Sequence, residues 1–528
     1  MLIGFGDPRE YCPVFSKTEG EHVIQVTGDL LHNQRDLVSN ISDISNSEIF
    51  TSSFCISISP IFENSLVKSI KIKDFKPIPS LLTSSSSPFF YTEAQFFSII
   101  SALCPGLSMV VGPPGTGKSD VASQVVASLL QSSIINECSS SRVLVITHSN
   151  DALNQLFEKV VDRGVDVSRL VRLGHGESRL STSGQDFSRE GRVAAVLAKR
   201  SYLIDTVNQL VGVIGLTTVE TCESALIVLD LIDEKWKDFL IEGENAIKNH
   251  HFDFYRTSCP LLSFFQTVFN FSFQSQSLPS SQSATDDLNT ITNQYQSIIV
   301  IRNQLREIHP FEVLPTPNSR GDFIVTNYSK VVAMTVTHAT LKLKWFVENN
   351  FKFDSFIMEE SAQCVELDAV IPFLCNTNTE VKRILLIGDH NQLPPVIKNT
   401  SLIVHSNADQ TLFTRLLALG ASAITLDRQG RCKPELAKLF SWKYDKLNNF
   451  NFVETSPEFT RACPGFKYDC QLINVEEYFK KGEHEPRPYF FQNLGEAEYV
   501  IQTYMFMRKI GYPAEKISIL TTYIGQKN

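Results

Sequence analysis

No stretch of this 528-residue sequence approaches the roughly 18 consecutive apolar residues that cross a bilayer. Its opening, MLIGFGDPRE, lacks the basic-then-apolar pattern of a secretory signal. No CxxC pair occurs among the 11 cysteines, the closest two being Cys463 and Cys470. That argues against a zinc site and for reduced, mostly buried thiols in an intracellular protein. There is no basic surplus: 48 Lys+Arg stand against 57 Asp+Glu, a net charge of −9. A polybasic nucleic-acid coat is thereby excluded, a local basic groove is not. No internal repeat is evident, and 43% hydrophobic with 20% charged residues rules out wholesale disorder. What the chain has is length. At about 150 residues per domain it implies three or four units, with a core that needs no disulfides. The expectation is a soluble multidomain protein without membrane contact.

Residues 1–87 read as a β-rich region ending in a linker. His22–Val26, Ser53–Phe62 and Val67–Phe75 are β-rich or alternate apolar with polar. Lys68, Lys71, Lys73 and Lys76 read as a solvated face or sheet edge, with a nucleic-acid face as the alternative. Pro77, Pro79 and the serine run to Ser87 supply the linker. From Phe89 onward, strands alternate with helices, which predicts a parallel sheet. Ser108–Val111, Arg142–Thr147, Phe353–Met358 and Arg383–Gly388 are the buried-strand candidates, and Asp120–Leu130 is helical in period. Between about 177 and 320 lies an insertion with a helical middle (Ala225–Asn249) and an aromatic-rich segment (Leu261–Phe273). The Ser/Gln-rich tract Ser272–Asn293 reads as a flexible loop.

The chemistry concentrates in three loops. Gly112, Pro113, Pro114, Gly115, Thr116, Gly117, Lys118 and Ser119 have P-loop spacing between a strand and a helix. Such glycines let backbone N–H groups surround phosphate oxygens at a helix N-terminus. Lys118 then reaches the β- and γ-phosphates, and the Ser119 hydroxyl serves Mg²⁺. The bland alternative is an ordinary Gly/Pro turn. Glu359 and Glu360 end a hydrophobic strand, where one carboxylate holds Mg²⁺ through water and the next activates the attacking water. An acidic helix-capping pair is the plainer alternative. Gln392, in Gly388-Asp-His-Asn-Gln-Leu-Pro-Pro395 after another strand, offers an amide to the γ-phosphate. Together these predict a Mg²⁺-dependent enzyme that binds and hydrolyses a nucleoside triphosphate.

This constellation resembles superfamily 1 helicases of the nonsense-mediated-decay type, and more closely the Aquarius intron-binding family of spliceosomal RNA helicases. The closer likeness rests on Val110–Ala122, Thr147–Val160, Arg172–Glu177, Ala333–Lys342, Met358–Gln363, Ile387–Asn399, Gln492–Val500 and Ile517–Lys527. It implies an α/β P-loop NTPase with two RecA-like parallel-sheet lobes, the first over 88–400 and an incomplete second over 401–528. It further implies that Gln95 reads adenine and that Arg431 contacts the γ-phosphate from the second lobe, with ATP between the lobes. Thr147, His148, Ser149, Asn150, Thr337 and His338 would touch the RNA backbone from the first lobe, and Thr522 and Tyr523 from the second. As loop or capping residues they have plainer alternatives. Single-stranded intronic RNA, spliceosomal proteins and the nucleus are the implied partners and compartment.

The sequence departs from the family pattern in three places. Glu359 replaces the commoner Asp, a trait the Aquarius group shares. Gly430 stands where relatives carry a Tyr that stacks on adenine, so base stacking is in question. The later motifs of a second lobe and the preceding helical scaffold are not found in 1–528, so the expectation is a chain truncated at both ends that binds ATP but unwinds RNA weakly or not at all. Two rival readings stand: another superfamily 1 helicase acting on RNA or DNA outside splicing, and a catalytically weak scaffold for spliceosomal proteins.

Overall fold

The structure, a computed structural model, describes residues 91–135, 142–174, 185–273, 281–376, 381–397, 399–477, 480, 482–488 and 490–527. The β-rich region and linker expected over 1–87 lie outside the described residues, as do positions 175–177 of the RLGHGE stretch. By internal contacts the chain divides into two compact units. One comprises the chain up to Gly112 and Gly117–Leu426; the other comprises Pro113–Thr116 and the chain from Asp427. The sequence reading begins the second lobe at 401, whereas residues 401–426 group with the first unit.

The first unit is built on a seven-stranded parallel sheet. Its strands are β1 (Gly106–Val111), β2 (Val143–Thr147), β3 (Leu170–Arg172), β4 (Val331–Thr335), β5 (Ser355–Glu359), β6 (Arg383–Gly388) and β7 (Ile424–Thr425), in the order β3-β4-β2-β5-β6-β1-β7. The four strands expected from the sequence all form, within two residues of their predicted ends. The sequence reading does not anticipate β3, β4 or β7. Successive residues of a strand face opposite sides, so each strand feeds two cores. Val143, Val145, Ile357 and Leu385 pack with helices α1 (Glu93–Leu103), α2 (Lys118–Ile135) and α3 (Asn150–Asp162) on one face. Leu144, Ile146, Phe356 and Leu386 join a second apolar cluster on the other. Both faces are covered, which is why these strands read as unbroken apolar runs.

That second cluster extends into helices α4 (Arg189–Ile214), α5 (Cys222–Lys248) and α6 (Ser281–Val313). Trp236 of α5 stacks on Tyr295 of α6 with ring centroids 4.3 Å apart. Helix α6 corrects an expectation: of the Ser272–Asn293 tract read as a flexible loop, residues from Ser281 are helical. The reason is a buried stripe at helical spacing, Ala284, Asp287, Ile291, Tyr295 and Ile298, which polar composition concealed. Asp287 is satisfied by Arg256, whose Nη2 donates to Oδ1 at 2.8 Å.

Parallel pairing brings the carboxyl ends of the strands to one edge, the position where such sheets bind ligands. Thr147 lies opposite both Thr335 and Glu359, and Val111 opposite Gly388. Beyond β4, the short helix α7 (Val336–Leu341) begins at the same edge.

In the second unit, β8 (Arg428–Gln429) pairs in parallel with β9 (Asn448–Asn449), and a longer helix, α8, spans Leu494–Lys509. Among the described residues no helix is long and apolar enough to cross a membrane.

Candidate nucleotide-hydrolysis site

β1 runs into the glycine loop and the loop into α2, the strand–loop–helix order that a phosphate cradle requires. Gly112 N–H donates to Gly388 O at 2.9 Å, fastening the loop's start to the end of β6. Lys118 Nζ donates to Gly112 O at 2.6 Å, which holds the ammonium across the loop. Gly117 has φ +81°, and a Cβ there would meet Gln95 Nε2 at 2.6 Å. That backbone conformation strains any residue with a side chain. Gln95 itself is buried and closes a capping box on α1: its Oε1 accepts from Thr92 N–H at 2.9 Å while Thr92 Oγ1 accepts from Gln95 N–H.

The Ser119 hydroxyl donates to Glu359 Oε1. The second oxygen, Glu359 Oε2, is buried and has no hydrogen-bond partner among the described residues. Burial pushes the Glu359 carboxyl up to about 7; the Ser119 hydrogen bond opposes this, the charge of Glu360 adds to it, and Lys118 and Lys159 pull it down. A buried carboxylate oxygen without a partner, joined to a hydroxyl, is a hard-oxygen donor set that suits a magnesium ion and its waters. These residues therefore fit the group.

Glu360 follows at φ +57°, ψ +32°, the left-handed region that a Glu seldom adopts. The turn is fixed behind it: Ser361 Oγ donates to Ile387 O at 2.9 Å, and Gln363 N–H donates to Glu360 O at 2.9 Å. Gly388 allows this closeness, since a Cβ there would meet Ala362 N at 2.9 Å. Next along β6, buried Asp389 accepts from Gln392 Nε2 at 2.6 Å and from Asn391 N–H at 3.0 Å. Sequence reading singled out Gln392 and missed the acid that orients it, although both lie in one motif.

The residues expected at RNA divide by role. Thr147 is fully buried and donates to Ser149 O at 2.8 Å; Ser149 caps α3 by accepting from Ala152 N–H at 3.2 Å. His148, Asn150 and Thr337 are exposed and His338 half-buried. Buried Arg172 assembles part of this rim, donating to Asn150 Oδ1 at 2.8 Å, to Asn154 Oδ1 at 3.2 Å and to Gly174 O at 3.0 Å. Gly174, at φ +99°, lies against the His338 ring. His148 Nδ1 lies 3.6 Å from Cys364 Sγ, linking the rim to the loop that carries Glu360.

Within the second unit, Thr116 Oγ1 donates to Pro113 O at 2.7 Å, and Gly430 N–H donates to Gly115 O at 3.0 Å. Pro114 is half-buried. A Cβ on Gly115 (φ +75°) would meet Arg431 Cβ at 2.7 Å. Arg431 is held by a residue the sequence did not single out. Gln429 is fully buried; its Oε1 accepts from Arg431 N–H at 2.9 Å and Cys432 N–H at 2.8 Å, and its Nε2 donates to Cys432 O and Asn449 Oδ1. Thr522 and Tyr523 are exposed, with the Tyr523 ring 4.8 Å from that of Phe491.

A parallel sheet whose first strand passes through GPPGTGKS into a helix, beside a strand that ends in paired carboxylates, defines a P-loop nucleotide-binding domain of the RecA-like kind. Residues 92–400 match the AAA domain family. The chain is 41% identical over 453 residues to RNA helicase aquarius of Mus musculus, covering 83% of this chain and 30% of that protein. It is 25% identical over 455 residues to pre-mRNA-splicing factor cwf11 of Schizosaccharomyces pombe (84% of this chain, 33% of that protein). It is 26% identical over 459 residues to ATP-dependent helicase upf1 of the same yeast (85% and 38%). The chain belongs to the AAA domain family and is similar to the aquarius and cwf11 proteins. It spans about a third of the length of the curated relatives it matches.

Proposed function

We propose that this chain is the ATP-hydrolysing core of an RNA helicase that grips single-stranded intronic RNA during pre-mRNA splicing, in the nucleus and among spliceosomal proteins. One observation carries the reading: Ser119 and Glu359 touch, with an unpartnered carboxylate oxygen beside them and Glu360 next in the chain. The names of the mouse aquarius and yeast cwf11 relatives supply the RNA and the splicing context. In this reading the first unit is the first RecA-like lobe, with an insertion at about 177–320, and the second unit is part of the second lobe.

Gly115 and Gly117 present backbone N–H groups to the phosphates, and Lys118 neutralises the β- and γ-phosphates. Ser119, and Glu359 through water, would hold Mg²⁺, which would supply charge screening for the transferred phosphoryl group. Glu360 accepts a proton from the attacking water. Gln392, oriented by Asp389, contacts the γ-phosphate, and Arg431, oriented by Gln429, stabilises charge there. Gln95 reads the adenine edge. His148, Asn150, Thr337 and His338 offer donors to the RNA backbone, joined by Thr522 and Tyr523, without reading sequence. Thr147 and Ser149 shape that loop from behind.

RNA-stimulated ATP turnover tests the motor, with Lys118→Ala and Glu360→Gln as controls. Turnover in the wild type alone supports the reading; equal turnover by all three sinks it and leaves a binding scaffold. Crosslinking in cells tests the context: reads concentrated in introns support splicing, and a profile spread over DNA overturns it.

A further inference from the structure

Cys364 is a buried thiol, 1% exposed, that the hydrolysis chemistry does not use. It closes the short turn that begins at Glu360, in which Gln363 N–H donates to Glu360 O at 2.9 Å. Strands β2 and β5 run side by side with Thr147 opposite Glu359, so the loops that follow them meet. There His148, the residue after β2, has its Nδ1 3.6 Å from Cys364 Sγ, a hydrogen-bond distance for sulfur. Both residues belong to the first unit.

The surroundings of the thiol give that bond its direction. Burial pushes the Cys364 thiol up, and the charges of Asp368 and Glu360 push the same way. The sulfur therefore keeps its proton and has it to donate. A histidine whose Nδ1 accepts carries its own proton on Nε2, because the bond made by one ring nitrogen sets the state of the other. The His148 ring is exposed, and with Nδ1 taken by the buried thiol its one remaining nitrogen is a donor. A fixed donor of this kind suits an acceptor that has no proton of its own, the oxygen of a phosphodiester.

We propose that Cys364 is a positioning residue for the RNA grip: its thiol anchors His148 Nδ1, so that the ring offers Nε2–H to a phosphodiester oxygen of the RNA backbone. The inference rests on the RNA reading above and adds to it the residue that fixes the ring. Without the thiol the ring turns freely and its proton moves between the two nitrogens, so that part of the time it meets the phosphate with a second acceptor.

Fluorescence anisotropy of a labelled single-stranded oligouridylate on the full chain tests this. Cys364→Val fills the buried space but has nothing to donate, and it is expected to weaken RNA binding by roughly threefold to tenfold, the worth of one hydrogen bond. Cys364→Ser, which keeps a donor, is expected to recover most of the affinity. In a His148→Ala background the valine should cost nothing further, since the thiol acts only through the ring. Wild-type affinity in Cys364→Val, no recovery in Cys364→Ser, or an equal loss with and without the His148 ring overturns the positioning role. A wild type that does not bind the oligonucleotide overturns the RNA reading itself, and this inference with it.

Discussion

The Ser119 hydroxyl donates to the Glu359 carboxylate, joining positions 240 residues apart in the chain at the ends of β1's loop and β5. If the two hold one ion, they act as a unit, and their losses do not add. Ser119→Ala and Glu359→Gln are each expected to lower magnesium-dependent ATP turnover by about tenfold to a hundredfold. The double variant should be no worse than the worse single one. Steady-state kinetics across a magnesium titration checks this, and fully additive losses would sink the shared site.

Glu360 occupies a left-handed conformation that disfavours any residue with a Cβ, and its charge adds to the burial that raises the neighbouring Glu359 carboxyl. Both effects work against stability and serve the placement of one carboxylate. Glu360→Gly should therefore abolish ATP turnover while leaving the chain at least as stable as wild type, whereas Glu360→Gln abolishes turnover and keeps the backbone strain. Thermal melts beside turnover assays read both, and a clear loss of melting temperature in Glu360→Gly would falsify the strain assignment.

The candidate nucleotide-site motifs were legible because their chemistry is local. Gly112–Ser119 and Glu359–Glu360 each sit at the end of an apolar run, and buried strands of a parallel sheet read as such runs. β3, of three residues, is too short to leave a periodic signal, and α6 hides an apolar stripe within Ser, Gln and Thr. The orienting residues were not legible for a different reason. Gln429 does its work through Asn449, and Arg172 through Asn150 and Gly174, contacts that exist only after folding. Asp389 reaches only as far as Gln392, three residues on, and its spacing could have exposed it.

Gln429 has both carboxamide atoms committed, its oxygen to the N–H groups of Arg431 and Cys432. Removing it frees the loop that sets Arg431 against Gly115. Gln429→Ala is expected to reduce kcat to nearly the level of Arg431→Ala with little change in KM, and the double variant should match Arg431→Ala. The loss of a fully buried, satisfied amide should also destabilise the unit by about 1–3 kcal/mol. A Gln429→Ala enzyme with wild-type kcat would show that Arg431 is placed without it.

Asp233 of α5 joins the stacked Trp236–Tyr295 pair to charge. Its Oδ1 accepts from Tyr295 Oη at 2.7 Å, and Lys237 and Arg302 stand at 3.0 and 3.5 Å from Oδ2. The Tyr295 hydrogen bond holds the Asp233 carboxyl below its ordinary 3.8, with burial opposing and Lys237 and Arg302 assisting. A carboxyl with a depressed folded-state pKa contributes stability that is fully present above its unfolded value and is lost as pH falls through the folded value. Tyr295→Phe removes the leading cause of that depression and keeps the ring on Trp236. It should therefore destabilise the first unit by about 1 kcal/mol at pH 7, with the difference shrinking as pH falls below 3.8. Urea unfolding of both chains at pH 7, 5 and 3 measures it. A difference that stays constant down to pH 3 would mean that the hydroxyl stabilises the helix pair through packing alone and not through the Asp233 charge.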